Sequence, residues 1–239
     1  MARRVKSFGG QHETKPIKDE RELTAFYNYF YHRIDDAKTE IKKYQADRNL
    51  MLVHIGLNTA FRAEDLLQLR VCDLEKGYVS IKENKTGKMQ NFKMTDKLHK
   101  NIMEYVQKYD LKHFDYMFRG QKDFQNGRAY YLPITRQTAW KIVSDAGKAI
   151  GLPYTFGIHS LRKTFGYQYI KHGGKPTTLM KMYNHDSIDV TQIYICWGKE
   201  DAEHDRNNFY IGPGFEKRKQ NIGDSANNKR SVKKERWNE

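Results

Sequence analysis

Only two cysteines, Cys72 and Cys196, occur in the 239 residues. They have no metal-ligand spacing and no framework pattern, which excludes a disulfide-stapled domain and fits two ordinary thiols in a reducing compartment. No apolar run is long enough to span a bilayer. The opening MARRVKSFGGQHETKP has basic residues with no apolar segment behind them, so it is not a secretory signal. No strong basic amphipathic helix or lipidation motif is present either, which argues against a membrane partner. Acidic residues are scarce as well: 29 Asp and Glu stand against 43 Lys and Arg, a formal net charge of +14. That excess points to a polyanion, with nucleic acid first. No carboxylate cluster suited to Mg²⁺ is visible, and the expectation is a cytoplasmic protein with neither metal nor other cofactor.

What is present is enough apolar material, 38% of residues, for one sizeable domain. Residues 1–18 read as a flexible leader, 19–212 as a folded domain and 213–239 as a disordered basic tail. Within the domain, Asp19–Ile34 has the pattern of a helix with acidic residues at its start, and residues 36–61 that of a second helix, more buried toward its end. AEDLLQLRVCDL has leucines at helical spacing. YVSIKE and MQNFKM flank the turn residues of NKTGK, which predicts a β-hairpin. A helix follows over residues 96–109, then an irregular stretch from Asp110 to Tyr131. Thr135 is placed to cap another helix that stops at Gly151. Residues 158–174, 176–185 and 186–197 supply three more. The fold class is mainly α with a small antiparallel β-sheet.

One stretch stands out. IHSLRKTFGYQYIKHGG contains no acidic residue, yet His159 and Arg162 lie about one turn apart on one face, with Lys163 beside them. Exposed N–H groups at a helix start also favour an anion. Further on, His185 and Tyr194 are nine residues apart, which on a straight helix puts them on opposite faces. They converge only if the chain breaks between them, and Asp186 and Ser187 are suitable caps for a new helix there. Upstream, Arg62 has Asp65 three residues later, either to steady its guanidinium or as an ordinary helical ion pair. Lys85 sits at the hairpin tip, where a lysine can swing on its stem or merely solubilise the turn.

Taken together and in order, TAFRAEDLLQLR, KTGK, HSLRKTF and NHDSIDVTQIYI resemble the signature boxes of the tyrosine recombinases, the phage integrase family, over about residues 20 to 197. The resemblance implies a tyrosine recombinase catalytic-domain fold. It assigns Arg62, Lys85, His159, Arg162 and His185 as the catalytic cations and histidines, Tyr194 as nucleophile and Asp65 as a supporting acid. Ala60 and Asn184 stand where glycine is usual, and Lys163 where histidine is common. The implied activity is site-specific DNA recombination, whether integration, excision or inversion, through a 3′-phosphotyrosyl intermediate. The implied partners are double-stranded DNA, a tetramer assembled on two sites and accessory DNA-bending proteins, in a nucleoid-associated protein of prokaryotic or phage origin. A domain starting near residue 19 leaves out the core-binding module that many members carry, as in the short invertases. Two other readings keep the fold: type IB topoisomerase-like relaxation, and a non-catalytic DNA-binding regulator.

Overall fold

Asp19 accepts hydrogen bonds from the backbone N–H groups of Arg21 and Glu22, at 2.6 and 3.3 Å. Those contacts cover free donors at the start of α1 (Glu20–Asp35), and Glu20 and Glu22 complement its dipole. The computed structural model describes residues 14–125 and 128–209. Helix α2 (Glu40–Thr59) changes character along its length, ending in a segment where Leu52, Val53 and Ile55 are fully buried. Such a segment belongs in the middle of a domain, and α2 packs on α1, on α4 (Asp96–Lys108) and on α6 (Ile158–Lys171). Gly56 leaves room for the Leu161 side chain of α6: a methyl there would lie 2.8 Å from Leu161 Cδ1.

Beyond α2 the chain turns at Ala60, in the left-handed region with φ 59°. That turn sets Arg62 at the N-cap of α3 (Ala63–Gln68), a helix shorter than the leucine spacing predicts and followed by a 3₁₀ turn at Val71–Asp73. Strands β1 (Tyr78–Lys82) and β2 (Met89–Lys93) form the expected antiparallel hairpin, pairing Tyr78 with Lys93 and Lys82 with Met89.

The stretch after α4 departs from expectation. It carries a second antiparallel hairpin, β3 (Arg119–Gln125) with β4 (Arg128–Pro133), so the described residues hold two two-stranded sheets rather than one. Its register slips between Arg119 and Lys122. From Gln121 to Phe124 and from Tyr130 to Leu132 its side chains are exposed, Phe124 69% and Tyr131 40%, so no core-facing alternation announces it.

Helix α5 (Arg136–Ala149) starts as predicted, Thr135 Oγ1 accepting from Thr138 N at 3.1 Å, and Gly151 follows at φ 75°. Helix α7 (Pro176–Tyr183) closes in a Schellman motif, His185 N–H to Met180 C=O at 3.0 Å and Asn184 N–H to Lys181 C=O at 3.1 Å. Asn184 takes the left-handed position, φ 54°. Ser187 then caps α8 (Ile188–Tyr194), its hydroxyl accepting from Val190 N at 3.2 Å. A last helix, α9 (Lys199–Asn207), was not anticipated; it buries no residue.

The main core gathers α1–α6 with Val79, Met117 and Phe118. A smaller one joins Ala60, Tyr167, Leu179, Tyr183 and Ile195 under α8. The end of the expected leader also packs. Ile17 is fully buried, its N–H donating to Thr164 Oγ1 at 2.9 Å, and Lys163 Nζ donates to Thr14 C=O at 2.7 Å. A boundary at residue 19 therefore falls inside packed structure. Most of the expected leader and the whole tail from 213 lie outside the described residues.

Candidate active site

A cleft of about 660 Å³ collects Arg62, Lys85, His159, Arg162, His185 and Tyr194. Five separate segments deliver them: the α2–α3 junction, the β1–β2 turn, the first turns of α6, the α7–α8 junction and the end of α8. Ala63, Glu64 and Arg136 complete the lining.

The two arginines meet at one atom. Arg62 Nη2 and Arg162 Nη2 both donate to the carbonyl oxygen of Tyr183, at 3.2 and 3.0 Å. Arg162 also donates to Ala60 C=O, and its guanidinium lies 4.2 Å from the Tyr183 ring centroid. Burial, eased by the surrounding phenols but aggravated by Arg62, pulls the Arg162 pKa down from its ordinary value. Packing two cations together requires a counter-charge, and Glu83 supplies it through an ion pair with Arg62. Burial opposes charge on Glu83. Hydrogen bonds from Thr86 and Gln90 and the Arg62 guanidinium outweigh it and hold the carboxyl below the usual range.

Asp65 acts on Arg62 only through space and makes its hydrogen bond elsewhere. Its Oδ1 accepts the backbone N–H of Asn84 at 2.8 Å, which fixes the turn beside Lys85. Glu83 takes the arginine instead. The sequence carries a signal for it: Val79, Ile81 and Glu83 share one strand face, and a charge at the third inward position needs a buried partner. No comparable signal marks the Tyr183 carbonyl, Glu64 or Arg136.

Around the tyrosine the break between α7 and α8 brings His185 and Tyr194 together, ring centroids 5.3 Å apart. His185 Nδ1 lies 3.0 Å from Thr191 Oγ1. Burial first, then Arg162 and Arg62, push His185 down to about 4, so it is neutral at physiological pH. Burial raises the Tyr194 pKa, with Arg162 and Arg62 opposing it. The hydroxyl thus keeps its proton near neutrality and needs a base to become a nucleophile. Lys163 Nζ sits 5.2 Å from the Tyr194 ring centroid. His159 Nε2 faces Arg136 Nη2 at 2.9 Å, and burial with that guanidinium holds its pKa below the ordinary value. Among the described residues no group of His, Cys, Asp and Glu is placed to hold a metal ion.

The phage integrase family model matches residues 29–200, well over half of the chain. The chain belongs to the phage integrase family. It is 32% identical over 160 residues to the probable integrase/recombinase YoeC of Bacillus subtilis, covering 65% of this chain and 83% of that protein. To tyrosine recombinase XerA of Pyrococcus furiosus it is 24% identical, over 62% of this chain and 49% of that one, so it spans about half of that relative's length. The crystal structure of XerA recombinase superposes with a TM-score of 0.60 at 20% identity, over 82% of this chain and 66% of that chain. XerH bound to palindromic difH substrate, in a post-cleavage complex, gives 0.58 at 23% identity over 83% and 53%. This integrase-family fold is that of a tyrosine recombinase catalytic domain, and the chemistry of the family is site-specific recombination. No helix among the described residues is long and apolar enough to cross a membrane.

Proposed function

We propose that this recombinase domain binds double-stranded DNA and that the cleft holds a scissile phosphodiester. Arg62 and Arg162 donate to its non-bridging oxygens, where charge grows in the transition state. Tyr194 Oη attacks phosphorus while its proton passes to His159. The P–O5′ bond breaks as Lys85 delivers a proton to the departing oxygen. The products are a 3′-phosphotyrosyl link and a free 5′-hydroxyl. His185, neutral, hydrogen-bonds the phosphate. Rejoining runs the same steps backward with a 5′-hydroxyl from another strand. The energy of the phosphodiester stays in the link, so no nucleotide is needed. Strand exchange between two sites calls for a tetramer, with accessory DNA-bending proteins as further partners.

One observation carries this reading: six side chains from five segments, 132 residues apart from first to last, line one cleft with the two arginines on a shared carbonyl. The DNA complexes among its structural neighbours, such as the Tn1549 transposon integrase with circular intermediate DNA (TM-score 0.56, 15% identity), support the substrate class. A non-catalytic regulator has no need of a half-buried tyrosine facing two arginines.

The test is a nicked suicide duplex carrying the recombination site, run on a denaturing gel. The wild type gives a covalent adduct. Tyr194→Phe keeps the ring and its packing but gives none, with DNA affinity nearly unchanged. Adduct from the phenylalanine variant would make another tyrosine the nucleophile.

A further inference from the structure

Arg136 is the one basic side chain of the cleft to which neither the sequence reading nor the mechanism above gives a task. It is the first residue of α5, presented to the cleft by the Thr135 cap. Its Nη2 lies 2.9 Å from His159 Nε2, and its Nη1 is 3.3 Å from Glu64 Oε1. A guanidinium has donors and no acceptor, and it does not give up its proton. The contact therefore decides the state of the ring: Nε2 is the acceptor, and the proton of the neutral imidazole is on Nδ1.

We propose that Arg136 is a positioning residue for His159, pinning Nε2 as an acceptor in the free protein and surrendering it when the DNA backbone enters the cleft. This rests on His159 acting as the base in the reading above. A base whose lone pair is held by a guanidinium cannot take the tyrosine proton, so unproductive ionisation of Tyr194 is blocked while the cleft is empty. The second anchor is weak enough to let go. Arg136 and Glu64 have side chains 58% and 56% exposed, and such pairs hold loosely. A phosphate offers the guanidinium a charge-assisted, bidentate partner that a neutral imidazole cannot match.

The charges facing His159 fix the sign of the pH effect. Arg136 from α5 and Arg162 and Lys163 from α6 disfavour its protonation, Glu64 from α3 favours it, and burial adds to the cations. Lys85 lines the same cleft from the hairpin. Removing Arg136 removes a cation, so the ring protonates at higher pH and the base is lost sooner on acidification.

The experiment is single-turnover adduct formation on the nicked duplex between pH 5 and 9. It compares the wild type, Arg136→Gln, Arg136→Lys, His159→Ala and the Arg136→Gln/His159→Ala pair, with DNA affinity measured in parallel. Arg136→Gln should displace the acid limb to higher pH and slow the reaction on that limb by roughly tenfold. The defect should shrink as pH rises. Arg136→Lys keeps the charge and should restore the limb. At saturating DNA the double variant should be no slower than His159→Ala alone, because one residue acts through the other. Additive losses, or a loss of the same size at every pH, would overturn the proposal and leave Arg136 a phosphate contact with no hold on His159. A wild type that forms no adduct sinks the recombinase mechanism itself. A normal wild type with an unaltered Arg136→Gln profile sinks only this inference. Circular dichroism melting of each variant separates misfolding, which the exposed position of Arg136 makes small.

Discussion

Arg62 and Arg162 converge on the Tyr183 carbonyl although their charges repel, and Glu83 is what makes the arrangement tolerable. Glu83 is 2% exposed, so its charge depends wholly on partners within the protein. Glu83→Gln keeps the shape and some hydrogen bonding to Gln90 and Thr86 but removes the charge opposite Arg62. The expected cost is about 1–3 kcal/mol of stability, read as a lower denaturant midpoint, for an impaired buried polar network. Adduct formation should fall with it, while DNA affinity, set by many phosphates, changes little. The pH dependence follows the same pair. Because the carboxyl is held below its ordinary range, its contribution is present above the unfolded carboxylate pKa and is lost as pH falls through the lower folded value. The wild type should therefore lose stability on acidification in that window, and Glu83→Gln should lose less there. A variant as stable as the wild type at pH 7 would show the pair to be ornamental. The six side chains that line the cleft were legible from short motifs because chemistry restricts which residue types suit such a site. Their supporting groups were less so. Asp65 sits near Arg62 in sequence but binds the Asn84 N–H, and the ion-pair partner, Glu83, comes from just past the end of β1, 21 residues later.

Helices were legible where caps and apolar spacing agree, as at Thr135 and Ser187. The second hairpin was not, since its strands answer to no core, and α9 buries nothing that a periodicity could report. The sequence does hold an Asn-Gly pair at 126–127, the turn chemistry of a tight hairpin. At this scale Gly166 is the sharpest test. It lies on α6 one turn after Arg162, where α7 ends on Tyr183. A methyl at Gly166 would sit 2.2 Å from the Tyr183 hydroxyl and 2.7 Å from Ile195 Cγ2. Neither neighbour can give way easily, for Tyr183 is fully buried and donates its hydroxyl to Arg162 C=O. Gly166→Ala should cost about 1–3 kcal/mol through overpacking, despite the better helix propensity of alanine. It should also move the Tyr183 carbonyl off the arginines, so adduct formation falls even at temperatures where the variant is folded. Gly173, with no atom within 4 Å of an added methyl but φ 88°, supplies the contrast: Gly173→Ala strains the backbone and should lower the melting temperature without touching the cleft chemistry. If both variants cleaved DNA alike, the close approach of α6 and Tyr183 would not be what positions the arginines.

Across the whole molecule, the segment before α1 and the helix α9 are both tied to α6. Lys18 pairs with Asp201 at 2.7 Å, and Asp201 also accepts from Tyr167 at 2.6 Å, so the segment before α1 and the helix after Tyr194 brace the same element. Recombination asks for strong attraction to DNA as a polymer and sharp discrimination at one phosphate, and the two demands separate in the charge distribution. In the proposed mechanism the arginines of the cleft serve a single phosphate, so their loss should cost rate far more than affinity. Affinity must come from the many other cations behind the net charge of +14. Each neutralised phosphate releases condensed counterions, so a footprint on the order of 6–10 phosphates predicts an affinity loss of about 10³–10⁵ between 50 and 200 mM salt. The segment after Pro213 is rich in Lys and Arg and poor in apolar residues, a composition suited to phosphates and unsuited to base edges. Deleting it should flatten the plot of log affinity against log salt while leaving the preference for the recombination site over scrambled duplex in place, because phosphate contacts position and base contacts specify. Fluorescence anisotropy titrations at four salt concentrations, on both duplexes and with both proteins, measure the two quantities together. An unchanged slope would make the tail a bystander on DNA. A lost site preference would instead show that it reads sequence.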